Sequence, residues 1–337
     1  MLNTLIQRPS PSKALRQTFH SPVNFVSSPL LKNLNMSQPS LAELRECLLD
    51  LKSCSVAKRT HAAFLLRTEG SNEAATIIAE ALSIREDSEL MRHENAYILG
   101  QMQHSSVCPL LESILRDETD DIIVRHECAE ALGAIGFEGS IDILKEFCSH
   151  PAKEISETCQ IAIDLINWKI STEKSQATQN GTFLSVDPAP PSAIAENISK
   201  VATVEDLKNK LMDANESLFN RYRAMFALRN MNSDSSAMAL VAGFEDSSAL
   251  FRHEIAYVLG QMQRSVTAEP LSIVLRNLDE HAMVRHEAAE ALGAIGGTLA
   301  ESVLREFLTD KEQVVQESCH VALDIMDHWA PASNNAE

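Results

Sequence analysis

One chemically capable phrase, Arg-His-Glu, is written four times in the chain: Arg92-His93-Glu94, Arg125-His126-Glu127, Arg252-His253-Glu254 and Arg285-His286-Glu287. The interval from His93 to His126 equals that from His253 to His286, and the longer step from His93 to His253 equals that from His126 to His286. A short period therefore lies inside a longer duplication. Two imidazoles with one carboxylate form the open facial set that holds non-haem Fe(II) and leaves positions for oxygen and water. Equivalent positions of stacked repeats project from one side, which makes His93 and His126 neighbours with a glutamate beside each. His253 and His286 reproduce the set, and two sets facing each other across a pseudo-twofold give a dinuclear centre of four histidines and up to four glutamates. Zinc fits less well. HExxH is absent, because the residues four after His93 and His126 are Tyr97 and Glu130, and no CxxC is present. Ligation by nitrogen and oxygen alone favours iron or manganese.

Which glutamates bind is a question of helix geometry. Neighbouring residues on a helix point about 100° apart, so His126 and Glu127 share a metal only if it sits between their directions. Glu130 and Glu290, one turn after His126 and His286, offer a rival arrangement. Glu127 and Glu287 rank above them here, since a glutamate at the later place is unremarkable in a repeat.

The elements that must position these residues are helices. Leu41, Leu44, Leu48 and Leu51 are spaced by three and four and share one face. Further helical segments follow at about 57–67, 72–103, 107–135 and 140–168, making about four helix pairs. After residue 203 the pattern returns at 204–211, 221–229, the two later Arg-His-Glu helices and 314–329. In the run Val124 to Gly136, an apolar stripe of Val124, Cys128, Ala131, Leu132 and Ile135 is interleaved with small residues that let the next helix approach closely. Asp120 or Asp121, and Asp87 or Ser88, are the expected N-caps, which places the phrase in an early turn. In the outer repeats Thr60, Tyr222, Glu157 and Glu317 stand where the histidine would be, so His-Glu is confined to the inner repeats of each half. A scaffold has no need of that restriction.

Composition bounds the rest. The 337 residues are 45% hydrophobic with 5% aromatics, which suits a core buried between neighbouring repeats and predicts an elongated shape. A net charge of −18 argues against nucleic acid and for a cationic partner. No stretch is apolar for long enough to span a membrane. Of seven cysteines only Cys159 has a cysteine counterpart, Cys319, in the other half, so reduced, buried thiols in a reducing, cytoplasmic setting are expected. Residues 1–40 carry Arg8, Lys13, Arg16 and Lys32 and no acid, as an organellar targeting segment within 1–35 would, but plain disorder or an extension upstream of a natural start at Met36 is the preferred expectation. Residues 171–203, with Asp187-Pro188-Ala189-Pro190-Pro191, read as an extended linker between halves at 41–170 and 204–330.

The Val-Arg-x-x-Ala-x-x-Ala-Leu-Gly-x-Ile-Gly pattern resembles the HEAT-like repeat, which implies an all-α solenoid of two pseudo-symmetric halves. Four His-Glu pairs on the inner repeats of a duplicated array resemble the deoxyhypusine hydroxylases over about residues 41–330. That resemblance implies a monooxygenase with two Fe(2+) per chain that uses O2 to hydroxylate the deoxyhypusine side chain on translation initiation factor 5A, the last step in making hypusine. It implies further that His93, His126 and Glu127 hold one iron and His253, His286 and Glu287 the other, while Glu94 and Glu254 hold the cationic amines of the substrate. No GxGxxG fingerprint is present, so the reductant is external. Two other readings use the same repeat: a non-catalytic HEAT-repeat interaction scaffold, and a HEAT-like lyase or chromophore chaperone.

Overall fold

The computed structural model describes residues 39–171, 183–192, 195–197 and 200–329. The expectations for residues 1–38 and for the stretch 172–182 lie outside the described residues. The first half contains α1 (Leu41–Leu49), α2 (Val56–Glu69), α3 (Asn72–Leu82), α4 (Glu89–Met102), α5 (Cys108–Arg116), α6 (Ile122–Ile135), α7 (Ile141–Phe147) and α8 (Lys153–Ile170). The second contains α9 (Val204–Met212), α10 (Leu218–Met231), α11 (Asp234–Val241), α12 (Ala249–Met262), α13 (Ala268–Arg276), α14 (Ala282–Ile295), α15 (Thr298–Glu306) and α16 (Gln313–Trp329). The duplication is kept to the residue: α12, α13 and α14 have the bounds of α4, α5 and α6 moved by one constant offset, the step from His93 to His253.

Each odd-numbered helix packs on the even-numbered helix after it, and the even-numbered helices stack on one another. Close stacking depends on small residues. A Cβ on Gly133 would lie 2.9 Å from Ala162 Cα, and one on Gly293 would lie 2.6 Å from Ala322 Cβ, so α6 meets α8 and α14 meets α16 nearly backbone to backbone. The stripe read from the sequence is buried at Val124, Cys128, Ala131 and Leu132.

An elongated shape was the expectation, and the array instead closes on itself. Helix α8 contacts α10 and α12, while α16 contacts α2 and α4, so the eight even-numbered helices form a circuit with both halves facing one interior. Burying the two terminal repeats against each other removes the exposed ends that an open solenoid must cap with polar residues.

The connector also differs from expectation. Its prolines predict an unpacked segment, yet residues 183–192 are fastened across both halves. Val186 exchanges two hydrogen bonds with the Gln101 side chain of α4, at 2.8 and 3.0 Å. Asp187 accepts from Arg229 of α10 at 2.8 and 2.5 Å, and Ala189 is fully buried. The prolines remove donors that would otherwise need partners in this packed position. Residues Ala195–Asn197 and Lys200–Val201 pair as two short antiparallel strands.

All seven cysteines are unpaired, and Cys108, Cys128, Cys159 and Cys319 are buried among the helices. No helix among the described residues is long and apolar enough to cross a membrane.

Candidate metal centre

Every histidine of the repeated phrase is the fifth residue after an N-cap. Ser88 caps α4, Asp121 caps α6, Ser248 caps α12 and His281 caps α14, each side chain accepting a backbone N–H of the first turn. Of the expected alternatives, Ser88 and Asp121 cap, and the preceding Asp87 and Asp120 instead accept from Arg59 and Arg92 of the repeat before. The arginine of the phrase therefore belongs to the scaffold. Arg92 and Arg285 each donate Nε to a backbone carbonyl of the preceding helix, and close on Asp120 and Asp310 of the following repeat. His and Glu, further round the helix, turn to the interior.

There the circuit brings the four imidazoles together. Ring centroids lie 5.6 Å apart for His93 and His126 and 5.4 Å for His253 and His286. Across the halves, His93 is 5.2 Å from His286 and 6.0 Å from His253, and His126 is 5.6 Å from His253. All four are buried. Glu127 Oε2 stands 3.2 Å from His93 Nε2, and Glu287 Oε2 stands 3.5 Å from His253 Nε2. The carboxylate thus reaches the histidine of the preceding repeat, and in the first half it does so with His126 beside it, so α6 directs two adjacent residues at one place. Ligand atoms of His93, His126 and Glu127, and of His93, His253 and His286, lie within 4.8 Å of one another.

The electrostatics ask for cations. Burial and the neighbouring imidazoles push His126 and His253 well below the ordinary histidine range, and His286 likewise, mainly through burial and His93. Burial alone would lower His93 too, but the Glu127 and Glu94 carboxylates outweigh it and hold the ring well above its usual value. Burial first, then mutual repulsion among the carboxylates, pushes Glu130, Glu254 and Glu287 well up. Both ring nitrogens of His126, His253 and His286 are buried without a hydrogen-bond partner in the protein. Neutral imidazoles with free nitrogens beside buried carboxylates are a donor set that fits a divalent metal.

A cavity of about 140 Å³ opens beside the cluster. His93, His253, Glu94, Glu127, Glu287, Glu130 and Glu290 line it, whereas Glu254 and the deeper His126 and His286 are not on its wall. Its outer part runs along the seam of α2 and α16, with Phe64, Leu65, Val321 and Ile325 as apolar walls. At the opposite seam, Ser248 of the second half donates to Glu157 of α8 at 2.5 Å. Glu290 also lies 3.7 Å from His286 Nδ1 and accepts from Ser318 at 3.0 Å.

Two residues of the site have no role in the sequence reading. Tyr97 and Tyr257, one helical turn after His93 and His253, join hydroxyls at 2.8 Å across the pseudo-twofold, and Gln261 donates to Tyr257 at 2.9 Å. Burial pushes both phenols up, so they stay protonated and bridge the halves as donors and acceptors. A tyrosine at the same place in both halves of the duplication was the signal that could have found them.

Comparison with known proteins agrees with this architecture. A model of HEAT repeats matches residues 80–164, and one of the PBS lyase HEAT-like repeat matches 284–310. The deoxyhypusine hydroxylase of Danio rerio is 44% identical over 272 residues, covering 80% of this chain and 86% of the relative. That of Candida albicans is 44% identical over 306 residues, covering 88% and 95%. The structure of human deoxyhypusine hydroxylase in complex with glycerol superposes with a TM-score of 0.79 at 43% identity, covering 85% of this chain and 95% of that one. With the paired His-Glu repeats gathered at one interior and this identity along most of its length, the chain is an enzyme that belongs to the deoxyhypusine hydroxylase family.

Proposed function

We propose that this chain hydroxylates the deoxyhypusine side chain of translation initiation factor 5A with O2, using two irons. In this reading His93, His126 and Glu127 hold one iron, and His253, His286 and Glu287 the other. The observation that carries it is the gathering of four imidazoles from both halves, with ring centroids 5.2 to 6.0 Å apart in the measured pairs, among buried carboxylates. Iron held there supplies the redox chemistry that activates dioxygen, and the electrons come from an external reductant.

The protein residues do the positioning. Deoxyhypusine is a long aliphatic chain with protonated amines. Phe64, Leu65, Val321 and Ile325 offer its methylenes an apolar passage. Glu94 on the cavity wall accepts a charge-assisted hydrogen bond from an amine and so fixes the target carbon near the cluster. Glu254 is the partner proposed for a second amine, and because it is 2% exposed and off the cavity wall, that contact requires the wall to open. The acidic surface suits a basic protein substrate, with no role for nucleic acid or membrane, in the cytoplasm.

The direct test is incubation of the iron-loaded protein with the deoxyhypusine form of the factor, O2 and a chemical reductant. Mass spectrometry of the modified peptide should show the gain of one oxygen atom. An unchanged mass with a fully iron-loaded protein overturns the proposal.

A further inference from the structure

The arginine of the repeat meets an acid almost everywhere. Arg59, Arg92, Arg221, Arg252 and Arg285 close on Asp87, Asp120, Asp246, Glu280 and Asp310, each from the following repeat. Arg125 is the exception among these. Its Nε donates to Leu115 O at 3.1 Å, the backbone contact that Arg92 and Arg285 also make, but its Nη2 is buried with no partner, and the residue is 3% exposed. A buried guanidinium nitrogen without an acceptor carries a desolvation cost that the Nε contact does not offset.

The duplication says what is missing. Asp310 occupies in the second half the place that His150 occupies in the first, and Asp310 has two duties. It accepts from Arg285 Nη1 and Nη2 at 3.2 and 2.5 Å, and from the backbone N–H of Glu312 at 2.9 Å. His150 performs only the second, its Nδ1 accepting from Ala152 N–H at 3.2 Å. A neutral imidazole whose Nδ1 accepts carries its proton on Nε2, which leaves a donor where the homologous position in the other half has an acceptor. Helix α8, 18 residues long, begins at this point from Ala152 with no side-chain cap. Guanidinium, imidazole and the helix N-terminus all border one groove of about 860 Å³.

We propose that this groove is a carboxylate-binding site, in which a bound carboxylate beside His150 supplies Arg125 with the acceptor that Asp310 gives Arg285 in the second half. The planar fork of Arg125 matches a carboxylate bidentately, and the first-turn N–H groups of α8 favour the same charge. The rim selects a singly charged ligand over phosphate. Glu86, Glu118 and Asp121 line it with Glu89, whose carboxyl is pushed up to about 7 by burial and by Asp121. A second negative charge would face those acids. The carboxylate comes from a free organic acid or from an acidic side chain of a bound polypeptide.

The test is thermal unfolding of the full chain, at constant ionic strength, with acetate, with N-acetyl-aspartate amide, and with phosphate or chloride in their place. Wild type should show a saturable rise in unfolding temperature with the carboxylates. The His150→Asp variant supplies the acid internally, so it should unfold at a higher temperature than wild type without ligand and lose the response. Arg125→Met should lose the response too. If that variant does not fold, His150→Asp alone decides. Stronger saturation by the aspartate derivative marks a polypeptide side chain as the source, and acetate of equal strength marks a free acid; both support a carboxylate site. No saturable shift, an equal shift in His150→Asp, or a response to phosphate alone overturns it.

Discussion

At the scale of the residue, identical phrases are not equivalent positions. Glu94 and Glu127 follow histidines of the same type, yet Glu94 bonds its own neighbour, 3.3 Å from His93 Nδ1, while Glu127 faces the other nitrogen of that ring. Both line the cavity, so burial does not separate them and binding measurements must. Glu94→Ala should keep its iron while weakening affinity for the deoxyhypusine form of the factor roughly ten- to a hundredfold, the loss of about 1.5–3 kcal/mol of charge-assisted hydrogen bonding. Glu127→Ala should lose iron first and substrate affinity only as a consequence. Metal content and substrate affinity on both variants check this, and equal iron loss makes all four glutamates ligands. The four histidines were legible because they recur in the inner repeats of both halves and are replaced in the outer ones. Which nitrogen meets which carboxylate was not legible, because the partner comes from the next repeat.

At the scale of the element, sequence rules placed the helices well because most begin with a side-chain cap and an apolar period. The arginine of the phrase belongs to the Val-Arg repeat pattern read from the sequence, and the structure agrees. It faces a different side and ties repeat to repeat. Burial alone would raise the Asp310 carboxyl, but the Arg285 hydrogen bonds outweigh it and hold the carboxyl below the usual range. A depressed folded-state pKa contributes stability above the unfolded value of about 3.9, and that contribution is lost as pH falls through the folded value. Asp310→Asn should therefore be less stable than wild type at pH 7, by about 1–3 kcal/mol. The gap should narrow as pH falls below the unfolded value of about 3.9. Urea unfolding on both sides of that value reads it, and a gap unchanged with pH would place the effect in packing.

At the scale of the whole molecule, closure was the property the sequence hid. Periodicity reports which face of a helix is apolar but not whether the last repeat returns to the first, and the contacts of α16 with α2 lie far apart in the chain. Closure makes the site a joint product of the halves, since His93, His253 and His286 fall in one group and Tyr97 bonds Tyr257. Fragments divided within residues 172–182, so that Asp187 stays with Arg229, should each be helical and inactive and should recover hydroxylation on mixing; turnover by either fragment alone contradicts a shared centre. The central claim, that each half contributes one His-His-Glu set to a pair of irons, is tested most directly by iron content per chain. About two irons are expected in the wild-type protein, with a substantial loss in His93→Ala and in His286→Ala, each lacking one of the two imidazoles of its set. Full iron occupancy in either variant would contradict it.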